Sequence, residues 1–291
     1  MSLVAIWLML IYQLSITWET NVQYSHGFLV PILCFYLILK SQDNPLDGTV
    51  KKSFLQGKTW YLFGIPLLLA LPLIWLIRGA NTDWRLLNLV LFGITFILTL
   101  IPVFDQGGWN KSKILIFPIL FFLVAVPWPL ATDLQLTQWF QEKVSSIIVD
   151  VLLLLEHEAS LQGTVIDVGV FGQIGIDQAC SGINGLQASI VITLFFGAYY
   201  RYGWINRFVL ALAGAIIAVG FNLLRAFSLS YIKVKGKGHL LDQHLFSIGE
   251  WQFPSLHDLA GWIETGLIFL TIFLLARSAR GGLYLRMLGN E

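Results

Sequence analysis

The chain has 291 residues, 56% of them hydrophobic and 12% charged, with a formal net charge of +1. An ordinary soluble domain carries about 25% charged residues, so this composition excludes a single water-soluble globule. The near balance of 18 Lys and Arg against 17 Asp and Glu excludes an electrostatically driven nucleic-acid partner, and Cys34 and Cys180 lie too far apart in sequence to suggest a disulfide framework or a thiolate metal cluster.

A membrane helix needs about 20 mostly apolar residues, in a working range of roughly 17–25. Eight stretches meet that demand: 2–18, 24–40, 60–77, 86–103, 114–131, 182–200, 208–231 and 257–276. The first has no basic leader and no small-residue cleavage site, so it reads as a retained helix and not a signal peptide. The second is the weakest, its purely apolar part being Phe28–Leu39. Residues 132–181 form the one long stretch outside the lipid. Within it, Leu134–Leu155 has helical patterning suited to the membrane interface. Ser160–Gln178 then alternates and predicts a hairpin, with strands Thr164–Val168 and Gln173–Asp177 turning near Val170–Gly172. The expected fold class is an all-α polytopic membrane protein: about eight transmembrane helices, a small extracytoplasmic β-hairpin before the sixth, and a single integral membrane domain over 1–291.

Lys and Arg collect on the cytoplasmic side of membrane proteins. With the N-terminus inside, the inner segments hold Lys40, Lys51, Lys52, Lys58, Lys111, Lys113, Arg201, Arg207, Arg277, Arg280 and Arg286. The outer segments hold Arg78, Arg85, Lys143, Lys233, Lys235 and Lys237. The excess favours both termini in the cytoplasm, against the trend of the Lys233/Lys235/Lys237 cluster.

Ionisable groups inside a span cost a few kcal/mol each and mark a site or a buried pair. Cys180, Asn184 and Gln187 open the sixth span on one helical face; Asn222 and Arg225 share a face late in the seventh; His257 and Glu264, seven apart, stand at the start and in the middle of the eighth. Under the eight-span topology all three places lie at the outer surface. A free thiol with a pKa of about 8.5 is only about 3% ionised at pH 7, and a neighbouring guanidinium raises that share. Cys180 therefore reads either as apolar filler or as a nucleophile. Arg225 reads as an interfacial snorkeller, an activator of the thiol or a binder of an oxyanion. His257 is either a helix cap or a proton carrier. Ser181 and Gly182 precede a helix whose first N–H groups can face a developing negative charge. Glu264 suits a structural partner for Arg225, and His26, in Tyr24-Ser25-His26-Gly27, either lines the same pocket or fixes a turn. No His, Asp or Glu set has metal-ligand spacing, and no cofactor or metal is expected.

At these residues the chain resembles the exosortase/archaeosortase family of membrane-embedded cysteine transpeptidases. The likeness rests on Ala179-Cys180-Ser181-Gly182-Ile183, Asn222-Leu223-Leu224-Arg225 and His257-Asp258 followed by Gly261. Two further stretches extend it: Tyr24-Ser25-His26-Gly27-Phe28 with Pro31, and Val126-Pro127-Trp128-Pro129. The resemblance implies Cys180 as nucleophile, Arg225 as electrostatic partner and His257 as proton carrier, with Ser181, Gly182, Asn184, Asn222, His26 and Glu264 in support. A histidine at the third position is similar to the bacterial branch. The implied substrates are exported proteins bearing a C-terminal recognition motif, an apolar helix and a basic tail. Cleavage through a thioacyl-enzyme is implied at the outer face of a bacterial inner membrane. The alternative of a different class is a polytopic transporter or flippase for a lipid-linked sugar, with Arg225 binding phosphate and His257 and Glu264 relaying protons. A third reading, a membrane acyltransferase using His257 as base, leaves Cys180 without a task.

Overall fold

A computed structural model describes residues 3–42, 63–81, 84–176, 181–243, 247–248, 251–252 and 254–288. The chain divides into two compact units, Met1–Asp133 and Leu134–Glu291.

The first unit contains α1 (Leu3–Thr20), a 3-10 turn (Val22–Phe28), α2 (Val30–Gln42), α3 (Ile65–Ala80), α4 (Leu86–Leu120) and a second 3-10 turn (Phe121–Ala125). In α1 the buried residues Ile6, Leu10, Leu14 and Trp18 recur every four positions, while Leu8, Tyr12 and Ile16 stay uncovered. A soluble monomer rarely leaves so much large apolar surface bare, and a lipid-facing helix does so by design. The expected loop at 104–113 is replaced by a sharp break. The helical run of α4 continues to Gly108, whose φ of 61° and ψ of −163° lie outside the helical region, and resumes immediately. Glycine reaches that backbone region at little cost, so one residue does the work of a loop.

The second unit begins within α5 (Leu130–Leu154) and continues through β1 (Ser160–Gln162), β2 (Val165–Asp167) and β3 (Gln173–Gly175). It then runs through α6 (Ile183–Tyr199), α7 (Trp204–Ile232), a π turn (Lys233–Lys237), α8 (His239–Asp242), the short pair β4 (Ser247–Ile248) and β5 (Trp251–Gln252), and α9 (Leu256–Leu288). The predicted hairpin is present as β2 and β3, paired antiparallel with Ile166 opposite Ile174. It carries a third strand, β1, that the alternation alone did not separate. Asp177, the expected last residue of the hairpin, lies outside the described residues.

Two apolar clusters fix this unit. Val144, Ile148 and Leu152 of α5 pack with Ile166, Val168 and Ile176 of the sheet region, with Ala226 of α7 and with Val234 of the π turn that follows it. Phe196, Leu210, Ala218, Ile268 and Ile272 join α6, α7 and α9. Gly214 lets α7 approach closely, because a Cβ there would press on Thr193 of α6. The sheet is thereby held against the same end of α7 that carries Arg225.

The predicted apolar segments are largely helical where they are described. The second begins in the first 3-10 turn, and the fifth, 114–131, is interrupted by the non-helical residues 126–129 between the second 3-10 turn and α5. The expected count of eight spans therefore does not carry over. Among the described residues, five helices are long and apolar enough to cross a membrane: Leu3–Thr20, Val22–Ser41, Leu86–Asp105, Trp204–Lys237 and Leu256–Ala279. The number is six when Lys111–Ala125 and Leu130–Leu154 count as one broken span. Ile65–Ala80 and Ile183–Tyr199 are shorter apolar helices. The protein is a multi-pass helical membrane protein with a small sheet.

Candidate active site

The start of α6 is set by Gly182, which precedes the first helical residue with φ 88° and ψ −3°. A Cβ at this position would fall 2.7 Å from Asn222 Nδ2, so glycine is required both by the left-handed backbone and by the asparagine seated against it. Ser181 is fully buried, and its Oγ accepts a hydrogen bond from the Ile183 N–H at 3.3 Å. One of the helix N–H groups expected to face a developing charge is therefore already occupied. Cys180 and Gln178 lie outside the described residues; Cys180 directly precedes Ser181 in the chain.

Arg225 lies on α7 one turn beyond Asn222, and its guanidinium spans to α9. Nη1 is 3.3 Å from Glu264 Oε2, with both side chains about nine-tenths buried, and Nη2 would be 3.3 Å from a Cβ placed on Gly261. Glu264 also borders α6, where a Cβ on Gly185 would fall 3.3 Å from Oε1. Three helices thus converge on one ion pair, and the two glycines make room for it. Further into α6, Asn184 Oδ1 and Gln187 Oε1 are buried acceptors that no donor among the described residues satisfies.

His257 sits four residues before Gly261, so the two share a face of α9 on successive turns. The capping of α9 is done by its neighbours. Ser255 Oγ accepts from the Asp258 N–H at 3.2 Å, and Asp258 Oδ2 accepts from the Ser255 N–H at 3.2 Å and its hydroxyl at 2.9 Å, a reciprocal capping box. His257 is thereby relieved of the capping role. Its Nδ1 lies 3.7 Å from Asp258 Oδ1, and its side chain keeps 30% of its surface exposed. The ring borders a cavity formed with the sheet region and the end of α7.

The structure therefore brings Gly182 to Asn222, and Arg225 to Glu264 and to the turn of α9 below His257. His26 belongs to the first unit, where it joins a different construction. Its Nε2 donates to Val124 O at 3.0 Å, the Trp128 N–H donates to the Tyr24 hydroxyl at 3.1 Å, and Trp18 Nε1 donates to Ala125 O at 2.7 Å. A Cβ on Gly27 would collide with the Trp18 indole. The Tyr24–Phe28 stretch and the Val126–Pro129 stretch are thus the two sides of one clasp. Two arginines expected in outer loops are likewise held. Arg78 is buried and its Nε donates to Asn88 Oδ1 at 3.2 Å; Arg85 pairs with Asp133 at 2.8 Å. Sequence reasoning did not find Asp133, the partner of Arg85. Asp133 begins the extramembrane stretch and gave no periodic signal, and Lys233 entered only as one charge of an outer cluster. Among the described residues no three His, Cys, Asp or Glu side chains gather where they could hold a metal ion.

Residues 18–274 match the family described as transmembrane exosortase. No curated protein and no solved structure matches the chain. The family match covers most of the sequence, from the end of α1 to the second half of α9, and takes in every residue of the cluster around Arg225: the chain belongs to the transmembrane exosortase family.

Proposed function

We propose that the protein is a cysteine transpeptidase or endopeptidase that cleaves C-terminal sorting signals of exported proteins, with Cys180 as nucleophile. The observation that carries this reading is the convergence of three helices on Arg225. Its guanidinium is held by Glu264 against Gly261, one turn below His257, while Asn222, one turn away on α7, anchors the glycine that follows Cys180-Ser181.

The reaction begins when the Cys180 thiol passes its proton to His257 and the thiolate sulfur bonds to the scissile carbonyl carbon. The carbonyl oxygen becomes an oxyanion, and Arg225 supplies the positive charge, first toward the thiolate and then toward that oxygen. Collapse breaks the C–N bond; the leaving amine takes the proton from His257, and a thioacyl-enzyme remains. An acceptor nucleophile then loses its proton to His257 and attacks the thioester carbon, which releases Cys180 as thiol. Asp258, capped to Ser255 and 3.7 Å from Nδ1, acts as a positioning residue for the imidazole. His26 contributes by holding its clasp in the first unit.

The substrate helix lies in lipid beside the enzyme, which raises its effective concentration at the scissile bond. The lysine and arginine excess of the inner segments supports an active site at the outer face of a bacterial inner membrane. The test is co-expression with a membrane-anchored reporter carrying a C-terminal apolar helix and a basic tail. Wild type cleaves it, and Cys180→Ala abolishes cleavage while the protein still inserts. His257→Ala slows it by about 100- to 10,000-fold, the usual range for a general acid-base group. Normal processing by Cys180→Ala would overturn the peptidase reading and leave the transporter alternative standing.

A further inference from the structure

The turn between β2 and β3 has an unusual composition. Gly169 at φ 63° and Gly172 at φ 89° supply the left-handed backbone that closes it, so the two positions between them are open to the polar residues that turns usually carry. They hold Val170 and Phe171 instead, and Val170 is 92% exposed and Phe171 45%. The Phe171 ring lies against Gly236 of the π turn, where a Cβ would fall 3.5 Å from Cε1. Gly236 is flanked by Lys235 and Lys237, both exposed, and Lys233 opens the same turn. Two bare apolar side chains and three lysines are thus placed side by side from segments far apart in the chain. Lys233 donates to Gln173 O at 2.6 Å, and Lys235 lies 5.2 Å from the centroid of the Tyr231 ring. Among the described residues no carboxylate lies within ion-pair distance of any of the three. The acids at the base of the sheet turn serve the turn itself. Asp167 Oδ1 accepts from the Gly169 N–H at 2.9 Å, and Glu158 Oε2 lies against Gly169, 3.1 Å from where a Cβ would stand.

We infer that the sheet tip and the lysine turn form a docking surface for the anionic phospholipid headgroups of the surrounding leaflet. Val170 and Phe171 dip into the boundary between headgroups and acyl chains, and Lys233, Lys235 and Lys237 meet the lipid phosphates. Depth favours this occupant. A hydrocarbon core of about 30 Å takes about 20 helical residues. Counted along α7 from Arg207, that length ends near Ser228, and the lysine turn begins about 7–8 Å further on, within the headgroup layer. The Arg207 guanidinium, 5.3 Å from the centroid of the Trp204 ring, marks the opposite interface, where basic and aromatic residues anchor a span. Residue type favours it as well. An ammonium group on a flexible stem needs no fixed partner geometry, which suits a surface of many equivalent phosphates. The lysine cluster that opposes the general charge trend thereby gains a task. On the peptidase reading, docking also steadies β3, whose chain runs on to Cys180, at the bilayer surface; the inference itself does not depend on that reading.

The test uses the full-length protein with Cys34→Ala, Cys180→Ala and Val170→Cys, carrying a nitroxide at position 170. It is placed in nanodiscs of phosphatidylcholine alone or of phosphatidylcholine mixed with phosphatidylglycerol. Power saturation compares collisions of the label with oxygen, which concentrates in lipid, and with a water-soluble nickel chelate. Phosphatidylglycerol is expected to bring the label to the lipid boundary and to reduce its nickel collisions several-fold. Each lysine near an anionic surface contributes about fivefold to docking, so Lys235→Gln combined with Lys237→Gln returns the label to water in the mixed disc. Lys235→Arg with Lys237→Arg keeps it docked. Lys233 is left in place because its bond to Gln173 O belongs to the fold. High salt, which screens exposed charges, reproduces the effect of the glutamine pair without any substitution. A label equally open to nickel in both discs overturns the proposal. So does a label equally sheltered in both and indifferent to salt and to the glutamine pair. No cleavage is read and Cys180 is replaced, so the outcome is separate from that of the peptidase reading.

Discussion

Asp133 in the first unit and Glu264 in the second are both buried carboxylates beside an arginine, yet they are satisfied to different degrees. Asp133 Oδ1 accepts from Gln23 Nε2 at 2.7 Å and Oδ2 from Arg85 at 2.8 Å, and the Arg85 guanidinium lies 5.9 Å from the centroid of the Tyr24 ring. Glu264 makes one longer contact of 3.3 Å to Arg225, and among the described residues Asn184 and Gln187 on the facing helix carry buried acceptors with no donor. A complete buried network contributes to holding a fold. An incomplete one is unfavourable by itself and is retained where a reacting group or ligand completes it. The first cluster is therefore read as structural, and the second, on the function proposed above, as the place where reacting groups complete it.

The most severe way to break this contrast is Asp133→Ala, which removes both acceptors and leaves Arg85 without its counter-charge. The expected loss is about 3–5 kcal/mol, as for other broken buried pairs, read as a lower unfolding midpoint in detergent. A loss under about 1 kcal/mol would show that the first cluster is not structural. Next in size is Gly182→Ala. The left-handed backbone costs a β-carbon about 1–2 kcal/mol, and the contact with Asn222 adds about 1–3 kcal/mol of overpacking. Combining it with Asn222→Ala is expected to recover part of that loss in unfolding measurements, since the crowding is between those two side chains.

Arg225→Lys sharpens the contrast from the other side. Charge is kept, but the planar fork that reaches both Glu264 and the turn at Gly261 is lost. Cleavage per inserted molecule is expected to fall about a hundredfold, the lower end for losing an oxyanion donor, with little change in stability. Arg85→Lys should lower stability and leave cleavage per folded molecule alone. The smallest effect belongs to His26→Gln, which gives up one hydrogen bond to Val124 O and costs about 0.5–1.5 kcal/mol of stability without altering cleavage.

Much of the fold was legible in the sequence because lipid imposes a length and a hydropathy on any helix that crosses it. The apolar segments, the helix before the sheet and the β2–β3 hairpin all follow from that demand and from local alternation. What periodicity does not carry is contact across the chain. Arg85 meets Asp133 48 residues away, and Arg225 meets Glu264 39 residues away. The first pair was invisible; the second was suggested only because both charges stand inside spans where charge is costly. The break at Gly108 was read as a loop because the polar residues around it suggest one, although a single glycine conformation suffices. Lys233 was counted as a loop charge because nothing in its local sequence reveals the sheet that closes over it.

Mass spectrometry of Cys180 tests the central claim most directly. Protein is isolated after co-expression with the membrane-anchored reporter, for wild type, Cys180→Ala, Arg225→Ala and His257→Ala. The expected result is a reporter-derived acyl group on Cys180 in wild type, absent from Cys180→Ala, scarce in Arg225→Ala and accumulating in His257→Ala if the second step depends more on the imidazole than the first. An unmodified Cys180 in every sample that retains it, together with normal reporter cleavage by Cys180→Ala, would contradict the assignment of this cluster as the site of a thiol-dependent reaction.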